Sequence, residues 1–201
     1  MHPARPRHSR VALSVIGLLA MLASELLTAD VRAAPVAGDA FAVATTSHLV
    51  VSEVMTGGAS ASDEFIELYN PSPGTRSLEG LELVYVTASG TTVTRKAAWG
   101  AGSTVEPGRH VLVANEAGIF ASVADVTYAN GLAATGGSIA LRAVGGSTAI
   151  DSVGWGTAAN AWLETAPAPA SAAGSSLERL PGGALGSGQD TDHNLVDFVV
   201  R

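Results

Sequence analysis

The sequence predicts an all-β protein, either a sandwich or a barrel of about nine short strands. Three observations favour this class. Short runs rich in Val, Ile, Leu, Phe and Tyr recur along the chain after residue 45. Clusters of Gly, Pro and Asn separate these runs, and the 201 residues include 23 Gly and 9 Pro. Only 116–123 has helical spacing, with Ile119, Phe120 and Val123 on one side, which predicts one short turn or helix.

The strands are predicted in order along the chain, each bounded by a turn signal. They cover 48–55, 64–69, 81–86, 91–94 with 98–99, 110–114, 138–144, 149–155, 176–180 and 196–200. Ser89-Gly90, between the third and fourth runs, predicts a tight hairpin. The Ala- and Pro-rich segment 155–174 predicts a long loop, and irregular loops of that length in compact domains are usually functional or mobile.

Alternation within the runs predicts which side chains form the core. We expect it to contain Leu49, Val51, Phe65, Ile66, Leu68, Leu83, Val111, Val113, Ile139, Leu141, Val153 and Phe198. The same alternation places Glu53 on the face of Val51, and Glu67 on the face of Phe65. Two carboxylates among apolar neighbours are either structural groups with hydrogen-bond partners or an acid pair of the kind that glycosidases use.

The N-terminal segment has the pattern of a secretory signal peptide. Three arginines lie within the first ten residues, and Val11–Ser24 is uncharged over 14 residues. That length is too short for a span of about 20 residues but fits the apolar region of a signal peptide, about 7–15 residues. We expect a signal peptide over 1–33, with cleavage near Ala33 and competing sites after Ala29 and Ala44. An uncleaved anchor is the alternative.

Removal of that segment leaves a flexible linker over 34–46 and one domain over 47–201, with no membrane span. The protein is then expected outside the cell or in the cell envelope. From residue 34 onward the chain has seven Lys and Arg against sixteen Asp and Glu, a net charge of −9. That charge argues against nucleic acid and anionic lipid as partners. The absence of Cys excludes disulfides and thiolate chemistry.

Four segments, taken in their order along the chain, together resemble one known family. They are LVVSEVMTGGASASDEFIELYNPSPGTRSLEGLELVY (49–85), VEPGRHVLVAN (105–115), GGSIALRAVGGSTAIDSVGWG (136–156) and SSLERLPGG with GQDTDHNLVDF (175–198). This set resembles the lamin tail domain (LTD) as found in secreted bacterial proteins. The resemblance implies an immunoglobulin-like β-sandwich and supplies no catalytic residue set. The chain has neither a coiled-coil rod nor an attached enzyme domain, so the nuclear role of eukaryotic relatives is not expected.

Candidate binding residues are few, and no catalytic motif is present. Trp162 and Trp155 could offer aromatic faces for stacking on a sugar, and Asp63 ends the variable loop 56–63. Asp190, Asp192 and Asn194 stand at alternate positions with Asp197 three residues on, which fits oxygen ligands for calcium. An Asx-turn leading into the last strand explains the same residues without a metal. No other cofactor is indicated.

The sequence therefore favours an exported, non-catalytic module that binds a protein, a glycan or an envelope component through its loops. Segments 56–63 and 155–174 are the expected binding regions. One alternative is a secreted hydrolase that uses Glu53 with Glu67, or the segment 190–197. Another is a structural or assembly domain that pairs through an exposed sheet edge.

Overall fold

The computed structural model describes residues 46–201 as two β-sheets packed face to face, the arrangement of a β-sandwich. Twelve strands are present in this part of the chain. They are β1 (Val50–Thr56), β2 (Glu64–Tyr69), β3 (Arg76–Ser77), β4 (Leu81–Thr87), β5 (Val93–Ala98), β6 (Thr104–Val105), β7 (His110–Asn115), β8 (Val126–Tyr128), β9 (Gly136–Ala143), β10 (Ala149–Gly156), β11 (Ser176–Arg179) and β12 (Phe198–Val200). The expected signal peptide and nearly all of the linker lie outside the described residues.

The larger sheet has six strands in the order β12-β11-β1-β2-β7-β8, and the second has four in the order β10-β9-β4-β5. Strands β3 and β6 form a separate two-stranded ribbon. All pairs are antiparallel except β7 with β8, which are parallel. None of the helices in the described residues is long and apolar enough to cross a membrane.

All nine predicted strands are present, and the all-β sandwich is confirmed. The three further strands, β3, β6 and β8, are only two or three residues long, which is too short to produce an alternating pattern. The last predicted strand begins later than expected, because Asn194–Asp197 forms a single helical turn, α1. The helical spacing at 116–123 corresponds to a 3₁₀ turn over Ile119–Ser122.

The predicted hairpin at Ser89-Gly90 is also confirmed. It joins β4 to β5, and Gly90 adopts a left-handed conformation with φ of 78°. Thr87 N–H donates to the Thr92 carbonyl, and Gly90 N–H donates to the Thr87 carbonyl. Glycine suits this position because it has no Cβ to clash at positive φ.

The core lies between the two large sheets and contains eleven of the twelve predicted residues. Phe65 is the exception: it lies half-buried on the outer face of β2, where its ring meets Phe120 edge-on at a centroid distance of 5.0 Å. The largest fully buried side chain is Trp155. Its ring lies 6.1 Å from that of Tyr85, and its indole N–H donates to the Ala133 carbonyl at 3.1 Å.

The predicted position of Glu53 on the face of Val51 is wrong, because β1 contains a β-bulge. Pairing between β1 and β2 shifts register between Val51 and Glu53. An extra residue in one strand reverses the alternation beyond it, so that Val51 and Val54 both face the core. Glu53 therefore lies on the outer face of the sheet, where Glu67 is its direct cross-strand neighbour.

Candidate functional site

A pocket of about 270 Å³ opens beside Trp162, at the outer side of the four-stranded sheet. The β9–β10 turn, the start of β10 and the segment 161–164 form its walls. Its lining residues are Ser147, Thr148, Ala149, Ile150, Ser152, Ala161, Trp162, Leu163, Glu164 and Asp192. We call it the Trp162 pocket. It brings one predicted binding residue together with hydroxyl and carboxylate groups from distant parts of the chain.

Trp162 is held half-buried at this position by contacts with the outer face of the four-stranded sheet. Its ring contacts a small apolar cluster of Val84, Val86 and Ala140, which lies on the outer face of the four-stranded sheet. The guanidinium of Arg142 lies 5.0 Å from the ring centroid, a cation–π distance. The remaining exposed surface of the ring belongs to the pocket wall.

Glu164 is an acid of the pocket whose pKa is raised by its surroundings. Its Oε1 accepts hydrogen bonds from the Ser152 N–H at 2.9 Å and the Ser152 hydroxyl at 3.1 Å. Its Oε2 accepts from the Asn194 side-chain amide at 2.8 Å. Burial raises the pKa of Glu164 to about 7, and the nearby charge of Asp151 adds to the effect. The carboxyl group thus accepts three hydrogen bonds at the pocket wall, which fix its position.

The residues that fit a calcium loop in the sequence have separate roles in the structure. The Asn194 Oδ1 accepts from the Gly154 and Glu164 N–H groups, which ties α1 to β10. The carboxylate of Asp197 accepts from the Thr191 N–H at 2.8 Å. Asp192 is exposed at φ of 55°. Asp190 and Asp197 both approach the Arg179 Nη1, at 3.4 and 3.9 Å, whereas the side chain of Asn194 is directed to β10.

Asp190, the first residue of that segment, lies instead in a buried network around Arg179. The Arg179 Nη2 is 2.7 and 2.8 Å from the two carboxylate oxygens of Asp151, and both side chains are fully buried. Asp190 lies 3.4 Å from Arg179 Nη1 and 3.1 Å from His48 Nε2. That last hydrogen bond raises the pKa of His48 and lowers that of Asp190.

His48, Asp151 and Asp190 also have potential metal-ligating atoms within 4.8 Å of one another, the one such group in residues 46–201. The guanidinium of Arg179 already contacts both acids, and its positive charge offsets part of their negative charge. We therefore interpret the group as a structural ion-pair network.

Two of the predicted binding residues, Trp155 and Asp63, are buried. Trp155 lies fully inside the core, so it has no surface with which to contact a ligand. Asp63 is only 2% exposed, and its carboxylate accepts from the N–H groups of Ser60 and Ile119. It ties the 56–63 loop to the 3₁₀ turn.

Glu53 and Glu67 do come together, as central members of a row of acids on the outer face of the six-stranded sheet. Glu53 pairs in register with Glu67 on one side and with Glu178 on the other. Partial burial raises the pKa of both Glu53 and Glu67. The hydroxyls of Ser176 and Ser52 donate to them. The row lies on the outer face of the six-stranded sheet, and none of its three acids lines the Trp162 pocket.

Sequence reasoning missed Glu164 and the hydroxyls of Ser147 and Thr148. Glu164 is the only charged residue of the Ala- and Pro-rich segment 155–174, and that isolation was a signal that could have identified it. The two hydroxyls follow Gly145-Gly146 and had no comparable signal, because their proximity to Trp162 depends on how the loop folds back over the sheet.

A model of the lamin tail domain family matches residues 42–157 of the chain. The match covers more than half of the 201 residues and includes β1 to β10. The chain therefore belongs to the lamin tail domain family, whose members are immunoglobulin-like modules and not typically enzymes. A search of curated proteins found no match.

Proposed function

We propose that the protein is an exported, non-catalytic module that binds a glycan in the Trp162 pocket. The observation on which the proposal rests is the placement of a partly exposed indole ring beside five polar side chains in one pocket. Its volume of about 270 Å³ lies near the lower end of the range for small-molecule sites, about 300–1,000 Å³.

The chemistry of the lining suits a polyhydroxylated ligand. Sugar hydroxyls donate and accept hydrogen bonds, and Ser147, Thr148, Asp192 and Glu164 offer both kinds of partner. The apolar face of a sugar ring packs against an aromatic side chain such as that of Trp162. A pocket with these two properties favours a saccharide over a purely apolar compound.

Membership of a non-enzymatic module family supports the non-catalytic part of the proposal. The position of Glu53 and Glu67 on an outer sheet face supports the non-catalytic part further.

The signal-peptide pattern of residues 1–33 supports export. N-terminal sequencing of the natural protein tests that part: a start at or near residue 34 is expected, and a start at Met1 contradicts it.

Glycan binding is tested by screening the purified protein on an array of bacterial envelope glycans and by calorimetry with each hit. Trp162→Ala is expected to weaken binding at least tenfold, because the stacking surface is lost. Trp99→Ala is the matched control: Trp99 is a partly buried tryptophan outside the pocket, so its variant should keep full affinity. Equal affinities of the two variants, or no glycan bound at all, would contradict the proposal.

A further inference from the structure

A second pocket, of about 300 Å³, lies beside the start of β1. Its lining residues are Ser47, His48, Leu49, Arg76, Ser77, Leu81 and Ile150. We call it the Arg76 pocket. It differs from the Trp162 pocket in character, because three of its side chains are large and aliphatic and two are basic. The function proposed above does not use it.

Arg76 is a half-buried cation without an acidic partner. Its Nε donates to the Ser72 hydroxyl at 2.9 Å, which fixes the side chain. No acidic side chain in residues 46–201 forms an ion pair with its guanidinium. By contrast, Arg142 and Arg179 are each paired with a carboxylate. An arginine held in place with its Nη groups unpaired can bind a carboxylate with two parallel hydrogen bonds.

His48 adds a second basic group to the same wall. Its Nε2 hydrogen-bonds Asp190 and its Nδ1 hydrogen-bonds the Thr46 hydroxyl at 2.6 Å. Both ring nitrogens are therefore engaged, so His48 lines the pocket without offering a free hydrogen-bonding group, and Arg76 is the group that would meet an anion.

The remaining walls are apolar. Leu49 is buried, Leu81 is half-buried, and Ile150 is 38% exposed. Contact with an apolar ligand would remove this surface from water, which favours binding. Arg76 and His48 therefore lie beside an apolar surface, in a chain whose net charge is negative.

We propose that the Arg76 pocket binds an organic carboxylate with an aliphatic body, such as a medium-chain fatty acid. The carboxylate pairs with the free Nη groups of Arg76. The hydrocarbon chain packs on Leu49, Leu81 and Ile150. This ligand class matches both halves of the pocket, whereas inorganic anions would leave the aliphatic wall exposed and neutral lipids would leave Arg76 unpaired.

The test is a titration of the ¹⁵N-labelled protein with octanoate and, separately, with 1-octanol, followed by NMR. Octanoate is expected to shift the amide signals of 47–49, 76–77 and 81, which line this pocket and not the Trp162 pocket, and 1-octanol to bind at least tenfold more weakly. Equal binding of the alcohol would overturn the role of Arg76. Shifts that map to another surface would overturn the site.

Two variants separate binding from folding effects. Arg76→Gln should weaken octanoate at least tenfold while leaving 1-octanol unchanged. Ser77→Asp adds a negative charge at an exposed lining position that makes only a local backbone contact, and should have the same effect. Arg109→Gln, at an exposed arginine outside the pocket, is the control and should bind normally. Full octanoate affinity in both pocket variants would refute the proposal.

Discussion

Replacement of Arg179 by Met should destabilise the protein more than replacement of any exposed arginine. Arg179 is fully buried, and its guanidinium contacts both oxygens of Asp151 as well as the carbonyls of Val51 and Gln189. The variant leaves Asp151 buried with only the Val51 N–H as a donor. Loss of one partner of a buried ion pair costs about 3–5 kcal/mol. For a domain of this size the melting midpoint should fall by roughly 6–20 °C.

The loss of stability in Arg179→Met should depend on pH, and this dependence is a sharper test than the size of the loss. Burial raises the pKa of Asp151 even with Arg179 present, and loss of the cation raises it further. A carboxyl group whose pKa is higher in the folded state destabilises the fold above that pKa, and the penalty shrinks as the pH falls through it. The gap in stability between wild type and Arg179→Met should therefore narrow between pH 8 and pH 5.

Urea unfolding followed by tryptophan fluorescence at several pH values measures both effects. The control is Arg201→Met, which breaks the ion pair with Glu178 at 2.8 Å but at a side chain that is 53% exposed. Exposed pairs contribute about 0–1 kcal/mol. Equal losses in the two variants, or a deficit in Arg179→Met that does not change with pH, would refute the reasoning.

Three further predictions concern the rest of the molecule. Glu53→Gln should raise stability at neutral pH by about 0.2–1 kcal/mol, because it removes like-charge repulsion across two strand pairs; urea unfolding beside the exposed control Glu116→Gln checks this. Gly137→Ala places a Cβ 2.4 Å from the Tyr85 ring and should cost about 1–3 kcal/mol, measured as a lower melting midpoint. Excess EDTA should leave the melting midpoint unchanged, because Asp190, Asn194 and Asp197 already have hydrogen-bond or ion-pair partners within the protein; a higher midpoint in millimolar calcium contradicts this.

Much of the fold could be predicted because it depends on local patterns. Strands half-buried in a sandwich alternate apolar and polar residues, and a Ser-Gly pair between two of them indicates a turn, so β4, β5 and their hairpin are visible in sequence. The same alternation identified eleven core residues. It failed at Glu53 because a single inserted residue in β1 reverses the two faces, and no residue type in VVSEVM marks the bulge.

The candidate site was only partly predictable. Trp162 stood out as an isolated aromatic in an irregular segment, and the structure does place it in a pocket wall. Asp190, Asn194 and Asp197 have the spacing of metal ligands. That spacing does not determine which groups in the rest of the chain meet each side chain. Asn194 binds the backbone of β10, some 40 residues away, and this contact exists only once the sheets have packed.

By itself, the sequence determined the class of fold, the order of the strands and most of the core, because alternation and turn residues act over a few neighbouring positions. Only the tertiary structure decided that Trp155 is interior, that Glu53 faces outward, and that Arg179 joins Asp151 to Asp190. Burial and ion pairing depend on residues that are distant along the chain, and those meet only when two sheets with fixed registers close on each other.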